Sequence, residues 1–188
     1  MISDLILGVF AFIFFIQIRP INKYWSLFYL FMSMAALIGS VFHGNPLIGE
    51  QYRYFSWSVL TASIVFAQLA TYQNVNSKMF NWFFIIKSVT LLSLAISYSQ
   101  FLFIVLDIAI SMLGFIVIGN YFFLKNISNK ISTGILISIA SAIIVVLKTD
   151  IHPEYLTAND IGHYISIISL MYIFKGVKES DYLNEVEA

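Results

Sequence analysis

Seven apolar stretches, each long enough to cross a lipid bilayer, occupy almost the whole of a 188-residue chain. A spanning helix needs roughly 20 mostly apolar residues. The stretches read as Ile2–Ile18, Trp25–Phe42, Phe55–Gln73, Phe80–Ser97, Phe101–Leu124, Ile131–Leu147 and Leu156–Phe174. Their apolar runs are continuous rather than alternating, which argues against a transmembrane β-barrel. The expected fold is therefore all-α: an integral membrane bundle of seven transmembrane helices. The gaps are short, so neighbouring helices run antiparallel and no soluble domain fits between them. Residues 1–178 form one transmembrane domain, and 179–188 are expected to be a short, acidic, frayed cytoplasmic tail.

Composition supports lipid as the solvent. Apolar residues make up 60% of the chain against 11% charged, too little charge to cover a soluble domain of this size. The net charge is zero. There is no basic face for nucleic acid and no glycine-rich phosphate loop, so nucleic-acid and nucleotide binding are not expected. The absence of cysteine removes disulfides, thiolate zinc sites and cysteine nucleophiles together.

The first stretch lacks a basic leader and ends in Ile18-Arg19-Pro20 rather than a small-residue cleavage site, so it reads as a retained helix. Lys and Arg placement sets the orientation. With the N-terminus outside, Arg19, Lys23, Lys78, Lys125, Lys130, Lys175 and Lys178 face inward. Only Arg53 and Lys148 face outward, and Lys87 lies within the fourth span. N-out, C-in is the expected topology. Pro20, Pro46 and Pro153 all fall between spans. Gly134, Ser138 and Ala142, and Ala35 with Gly39, recur at i+4 and read as close-packing faces.

All three histidines fall toward the outer ends. The second span delivers His43 there, with Ser40 on the same face, and the seventh places His163 in its outer half. His152, beside Pro153, reads as a loop residue. Asp107, an acid well inside the fifth span, lies about 10 Å below the outer surface by helical rise. A buried acid in lipid needs a partner or a role. Ser40, His43, Asp107 and His163 are thus expected to meet in one outer-half cavity. Two imidazoles with oxygen donors suit zinc holding a reactive water. The plainer readings make Asp160 a helix cap in Thr157-x-x-Asp160, His43 an interfacial residue, and Lys87 a snorkelling residue with Gln68 within reach.

These residues carry a resemblance to the CREST superfamily of seven-helix membrane hydrolases, which includes alkaline ceramidases, lipid-remodelling proteins, and progestin and adipoQ receptors. Ser40-Val41-Phe42-His43 resembles the family's second-helix Ser/His element. Asn159-Asp160-Ile161-Gly162-His163 resembles its last-helix His-x-x-x-His, with Asn159 in place of the first His. The resemblance implies zinc held by His43 and His163 with Asn159 or Asp160, assisted by Ser40 and Asp107, and hydrolysis of a lipid-like amide or ester. The chain looks closer still to small bacterial membrane proteins sharing the Asn-x-x-x-His element, which implies residence in the bacterial plasma membrane among its lipids.

The competing expectation is a non-catalytic membrane protein, a sensor or a subunit of a larger assembly. Retinal binding is disfavoured because Lys175 lies at the inner end of the last span. Transport is the weaker alternative, since neither internal repeats nor proline-broken helices are evident.

Overall fold

The computed structural model describes residues 2–44, 49–75, 77–122, 128–148, 150–152 and 156–187, without the side chains of 74, 122 and 181–187. Pro46, Pro153 and Lys125 lie outside the described residues. Among these residues seven helices follow one another, with a short 3-10 turn at Gln73–Val75: α1 (Ile2–Ile18), α2 (Lys23–Gly44), α3 (Glu50–Thr71), α4 (Lys78–Ser97), α5, α6 (Asn129–Val146) and α7 (Ala158–Glu187). Helix α5 is continuous but changes winding. It is α-helical over Leu102–Ala109, π-helical over Ile110–Val117 and α-helical again over Ile118–Phe122. No strand occurs among the described residues. Helices α2 to α6 are long and apolar enough to cross a membrane, and α1 is a shorter apolar helix. Helix α7 runs on through Glu187, past the Phe174 boundary and into the segment expected from sequence to be a frayed tail.

Six of the helices close a ring. Helix α1 lies between α2 and α7, α2 packs on α3, α3 meets the π-helical part of α5, and that part also meets α6, which packs along α7. Helix α4 stands outside the ring against α3 and α5. The central core reflects this order. Phe14 of α1, Phe28 and Tyr29 of α2, Ile64 of α3, Ile116 of α5, Ile135 of α6 and Leu170 of α7 share one buried cluster to which α4 contributes nothing. Trp57, Ala95 and Ile104 form a second, smaller cluster joining α4 to α3 and α5. Across the main core Phe14 stacks on Phe174 at 4.8 Å, and the buried Tyr29 hydroxyl donates to the Leu170 carbonyl at 3.1 Å.

Where the hydrophobic effect cannot drive helix against helix, close packing and hydrogen bonds must. Here serine hydroxyls donate to carbonyls of small residues on the adjacent helix: Ser33 to Gly8, Ser56 to Ala35, Ser141 to Gly162 and Ser169 to Gly134. The glycines make the approach possible. A Cβ on Gly134 would lie 2.7 Å from Ile173 Cγ1 and 2.8 Å from the Ser169 carbonyl oxygen, and one on Gly8 would meet Leu37 at 2.9 Å.

The α4–α5 turn is tight enough to bring the middles of the two helices side by side. Ser99 adopts left-handed backbone (φ 52°). Gln100 N–H donates to the Ala95 carbonyl and Ser99 N–H to the Ile96 carbonyl, a Schellman closure that reverses the chain at once. At the other end of the bundle, Glu179 of α7 holds the start of α6. It accepts from the Ser128 hydroxyl and from Lys130 Nζ, the latter at 2.9 Å, while Ser128 caps α6.

Gly134→Leu should lower the unfolding midpoint in detergent sharply, because overpacking costs about 1–3 kcal/mol or more against backbone that cannot move. Gly114→Ala, with open space around its Cβ, should be near neutral; equal effects would contradict the packing. The Ser128 and Lys130 hydrogen bonds hold the Glu179 carboxyl below the usual range. A depressed carboxyl stabilises the clamp above its ordinary pKa of about 4.3, and the contribution is lost as pH falls through the lower folded value. Glu179→Gln should therefore speed amide exchange at Lys130 and Ile131 at neutral pH, and acid should do the same in the unmodified protein.

Candidate functional site

The end of the bundle where α1 begins and α2 finishes collects an unusual density of polar groups. Ser3 and Asp4 stand in the first turn of α1, both buried, in an otherwise apolar helix. A carboxylate there is favoured by the helix dipole, but its burial needs partners as well. Helix α2 passes close by: a Cβ on Gly39 would lie 3.4 Å from Asp4 Oδ1, an ordinary contact, so the carboxylate rests against α2. Helix α7 supplies the rest.

The start of α7 is a reciprocal cap. Asp160 N–H donates to Thr157 Oγ1 at 3.3 Å, and the Thr157 N–H and hydroxyl donate to Asp160 Oδ2 at 3.2 and 2.7 Å. The capping expected for Asp160 is present, but it uses one carboxylate oxygen only. The other, Oδ1, accepts from the Ser3 hydroxyl at 2.5 Å. Ser3 Oγ also lies 3.0 Å from His163 Nδ1, and His163 Nε2 lies 3.4 Å from Asp4 Oδ1. Ser141 on α6 donates to the Gly162 carbonyl at 2.7 Å, and a Cβ on Gly162 would strike Val145 Cγ2 at 2.6 Å. That contact sets the height of His163 against α6.

The proton count is fixed by this chain of bonds. Ser3 has one proton and gives it to Asp160, so Nδ1 of His163 is the donor toward Ser3 Oγ. Nε2 then faces the Asp4 carboxylate. The neutral ring turns a lone pair toward Asp4, whereas the imidazolium turns an N–H toward it. The Asp4–His163 pair thus holds one exchangeable proton, with Asp160 and Ser3 fixing the ring from behind. The His163 side chain keeps 25% of its surface exposed and Asp4 7%, so the imidazole is the more open of the two.

The residues singled out from sequence divide. His163 and Asp160 belong to this cluster. Ser40 is buried at the same end, but its hydroxyl donates to the Leu37 carbonyl of its own helix at 2.7 Å. His43 is exposed in the last turn of α2, its ring edge-on to Phe42, and acts on His163 only through space. Asn159 is exposed. Asp107 does not join them. It is fully buried on α5, where Lys87 Nζ meets its Oδ1 at 2.5 Å and Ser88 donates to the same oxygen at 3.0 Å. The single outer cavity expected to unite Ser40, His43, Asp107 and His163 is corrected accordingly, because Asp107 satisfies its charge one hairpin away. Lys87 also pairs with Asp107 and Ser111 rather than with Gln68.

Zinc does not fit the described residues as they stand. A catalytic zinc takes three protein ligands, and among the described residues no group of three His or carboxylate side chains is placed to hold an ion. His163 has both ring nitrogens engaged, Asp160 has both carboxylate oxygens bonded, and His43 and Asn159 are exposed. Ser3 and Asp4 are site residues that the sequence does not single out, since Met-Ile-Ser-Asp speaks there only against a leader peptide. The available signal is an acid in the first turn of an apolar helix at the same end as the histidines.

No curated protein and no solved structure matches this chain. A family model covers residues 1–182, nearly all of it, and the chain belongs to that family, described as a family of unknown function (DUF6962).

Proposed function

We propose that this chain crosses the membrane seven times with its N-terminus outside, and that the cluster of Asp4, His163, Ser3 and Asp160 is an acid–base site in the outer leaflet that hydrolyses a lipid-like ester or amide. The five long apolar helices support the topology. So does α1, whose 17 residues reach about 25 Å. The excess of Lys and Arg at the opposite end supports N-out.

The carrying observation is an imidazole held between a buried carboxylate on one nitrogen and a hydrogen-bonded serine–carboxylate relay on the other. A positioned imidazole is the most common general base and contributes about 10²–10⁴-fold. In this reading the Asp4–His163 pair together takes the proton of a water whose oxygen bonds to the substrate carbonyl carbon, and shares it between Asp4 Oδ1 and Nε2. Asp4 stabilises the imidazolium, and the same proton passes to the leaving oxygen or nitrogen as its bond to carbon breaks. Ser40 and His43 border the site from α2. The resemblance of Ser40-x-x-His43 and Asn159-x-x-x-His163 to the CREST hydrolases supports the reaction class.

A second reading, a non-catalytic sensor or subunit, is favoured by a separate observation: both nitrogens of His163 are already bonded. The Asp4–His163 proton then sets how tightly α1 is held to α7.

Turnover of fluorogenic lipid esters and amides by the purified protein decides between them. The hydrolase reading expects His163→Asn and Asp4→Asn each to lose at least about 100-fold in kcat/KM, and elemental analysis to find less than stoichiometric zinc. Absent turnover, or turnover indifferent to both substitutions, would sink it. Stoichiometric zinc would replace the metal-free scheme.

A further inference from the structure

The α3–α4–α5 side of the bundle holds a second polar constellation, unused by the outer site. Two apolar layers bracket it. Toward the outer end, Trp57 of α3, Ala95 of α4 and Ile104 of α5 pack together. Toward the inner end, the Tyr72 ring meets Phe80 and Phe84 of α4, Phe84 meets Phe115 of α5, and the Tyr72 hydroxyl donates to the Phe115 carbonyl at 2.7 Å.

Helical spacing places what lies between. Thr61 is one turn from Trp57 and Gln68 one turn from Tyr72 on the same face of α3. Ser88 is one turn from Phe84, and Asp107 and Ser111 lie between Ile104 and Phe115. All five are buried, with Gln68, Ser88, Asp107 and Ser111 at 0% exposure. The π-helical part of α5 begins at Ile110, between Asp107 and Ser111.

Charge in this layer is balanced within it. Lys87 meets Asp107 Oδ1, to which Ser88 and Ser111 also donate, the latter at 3.3 Å. Hydrogen bonding is not balanced. Asp107 Oδ2, both amide atoms of Gln68 and Thr61 Oγ1 are buried with no hydrogen-bonding partner. Buried polar atoms are almost always paired, by protein or by ordered water. Thr61 and Gln68 stand two turns apart on α3, about 10 Å in height, and face the helix that carries Asp107; unmatched atoms spread over both helices point to partners shared between them.

We propose that Asp107, Gln68 and Thr61 form an internal binding site for water, closed by the Trp57 and Tyr72 layers. The chemistry selects a small neutral molecule that donates and accepts. The carboxylate oxygen and the amide oxygen need donors, the amide nitrogen needs an acceptor, and Lys87 already neutralises the site. A cation would have to share the layer with the lysine ammonium, and a second anion with the carboxylate. Bound water also explains how a charged pair persists at this depth, because it solvates the carboxylate oxygen that Lys87 does not reach. Each ordered water needs two to four polar partners, which these atoms supply.

The test uses the full chain in lipid nanodiscs. X-ray radiolysis converts bound water to hydroxyl radical where it sits, so side chains with no exposed surface are oxidised only beside internal water. Oxidation of Ile104 or Phe84, fully buried in the two layers that close the site, is expected at a rate comparable to that of exposed residues; protection of both overturns the proposal. Thermal unfolding gives a second reading. Gln68→Met removes the polar atoms at similar volume. It should lower the midpoint by about 3 °C or more if water is bonded there, and a raised midpoint would show a dry site and overturn the proposal. A midpoint that rises with sodium chloride but not choline chloride would overturn it in favour of a cation.

Discussion

A polar group surrounded by lipid and helices must find its partner inside the protein, and the whole arrangement of this bundle answers to that constraint. Its commonest solution is small and repeated. A serine hydroxyl on one helix reaches the carbonyl of a glycine or alanine on the next, as at Ser33–Gly8, Ser56–Ala35, Ser141–Gly162 and Ser169–Gly134. Each such bond contributes on average about 0.6 kcal/mol in a membrane. The small residue contributes more by letting the backbones approach than the hydroxyl does by bonding.

Charged groups need a stronger solution, and the fold gives two that are kept apart. At the end where α1 begins, that helix lies between α2 and α7, which brings the acid of its first turn to the histidine of α7. In the middle of the bundle the α4–α5 hairpin pairs Lys87 with Asp107. Breaking such a pair by removing one partner costs about 3–5 kcal/mol, far more than the pair itself contributes. Neither set of groups can therefore be borrowed for the other. A reactive site assembled from His163 and Asp107 would strand Lys87. The polar cluster at that end is built instead around Asp4, whose Oδ1 lies 3.4 Å from where a Cβ on Gly39 of α2 would stand.

Much of the fold is legible in sequence because lipid imposes a simple rule on length and hydropathy. The bounds of α1 agree at both ends and those of α4 at the C-terminal end, and the small-residue face at Gly134 is where α6 meets α7. Pairing between helices is not legible in the same way. Lys87 and Asp107 stand ten residues either side of Ser97, so a tight hairpin there aligns them. The tightness rests on left-handed Ser99, a residue type with no strong preference for that conformation. The candidate site is half legible. Thr157-x-x-Asp160 announces its cap, and His163 its depth. Ser3 and Asp4 stay unconnected to them because nothing local in sequence says that the first helix lies against the last. The π-helical winding of α5 has no sequence mark such as proline.

Docking of α1 against α7 through Ser3, Asp4, Asp160 and His163, with Asp107 elsewhere, is the centre of this architecture. Because the chain has no cysteine, paired cysteines can be introduced without background. Ser3→Cys with Asp160→Cys should be joined in high yield by a short bis-methanethiosulfonate in membranes, and His43→Cys with Asp107→Cys should not. Efficient joining of the second pair with failure of the first would contradict the arrangement at its centre.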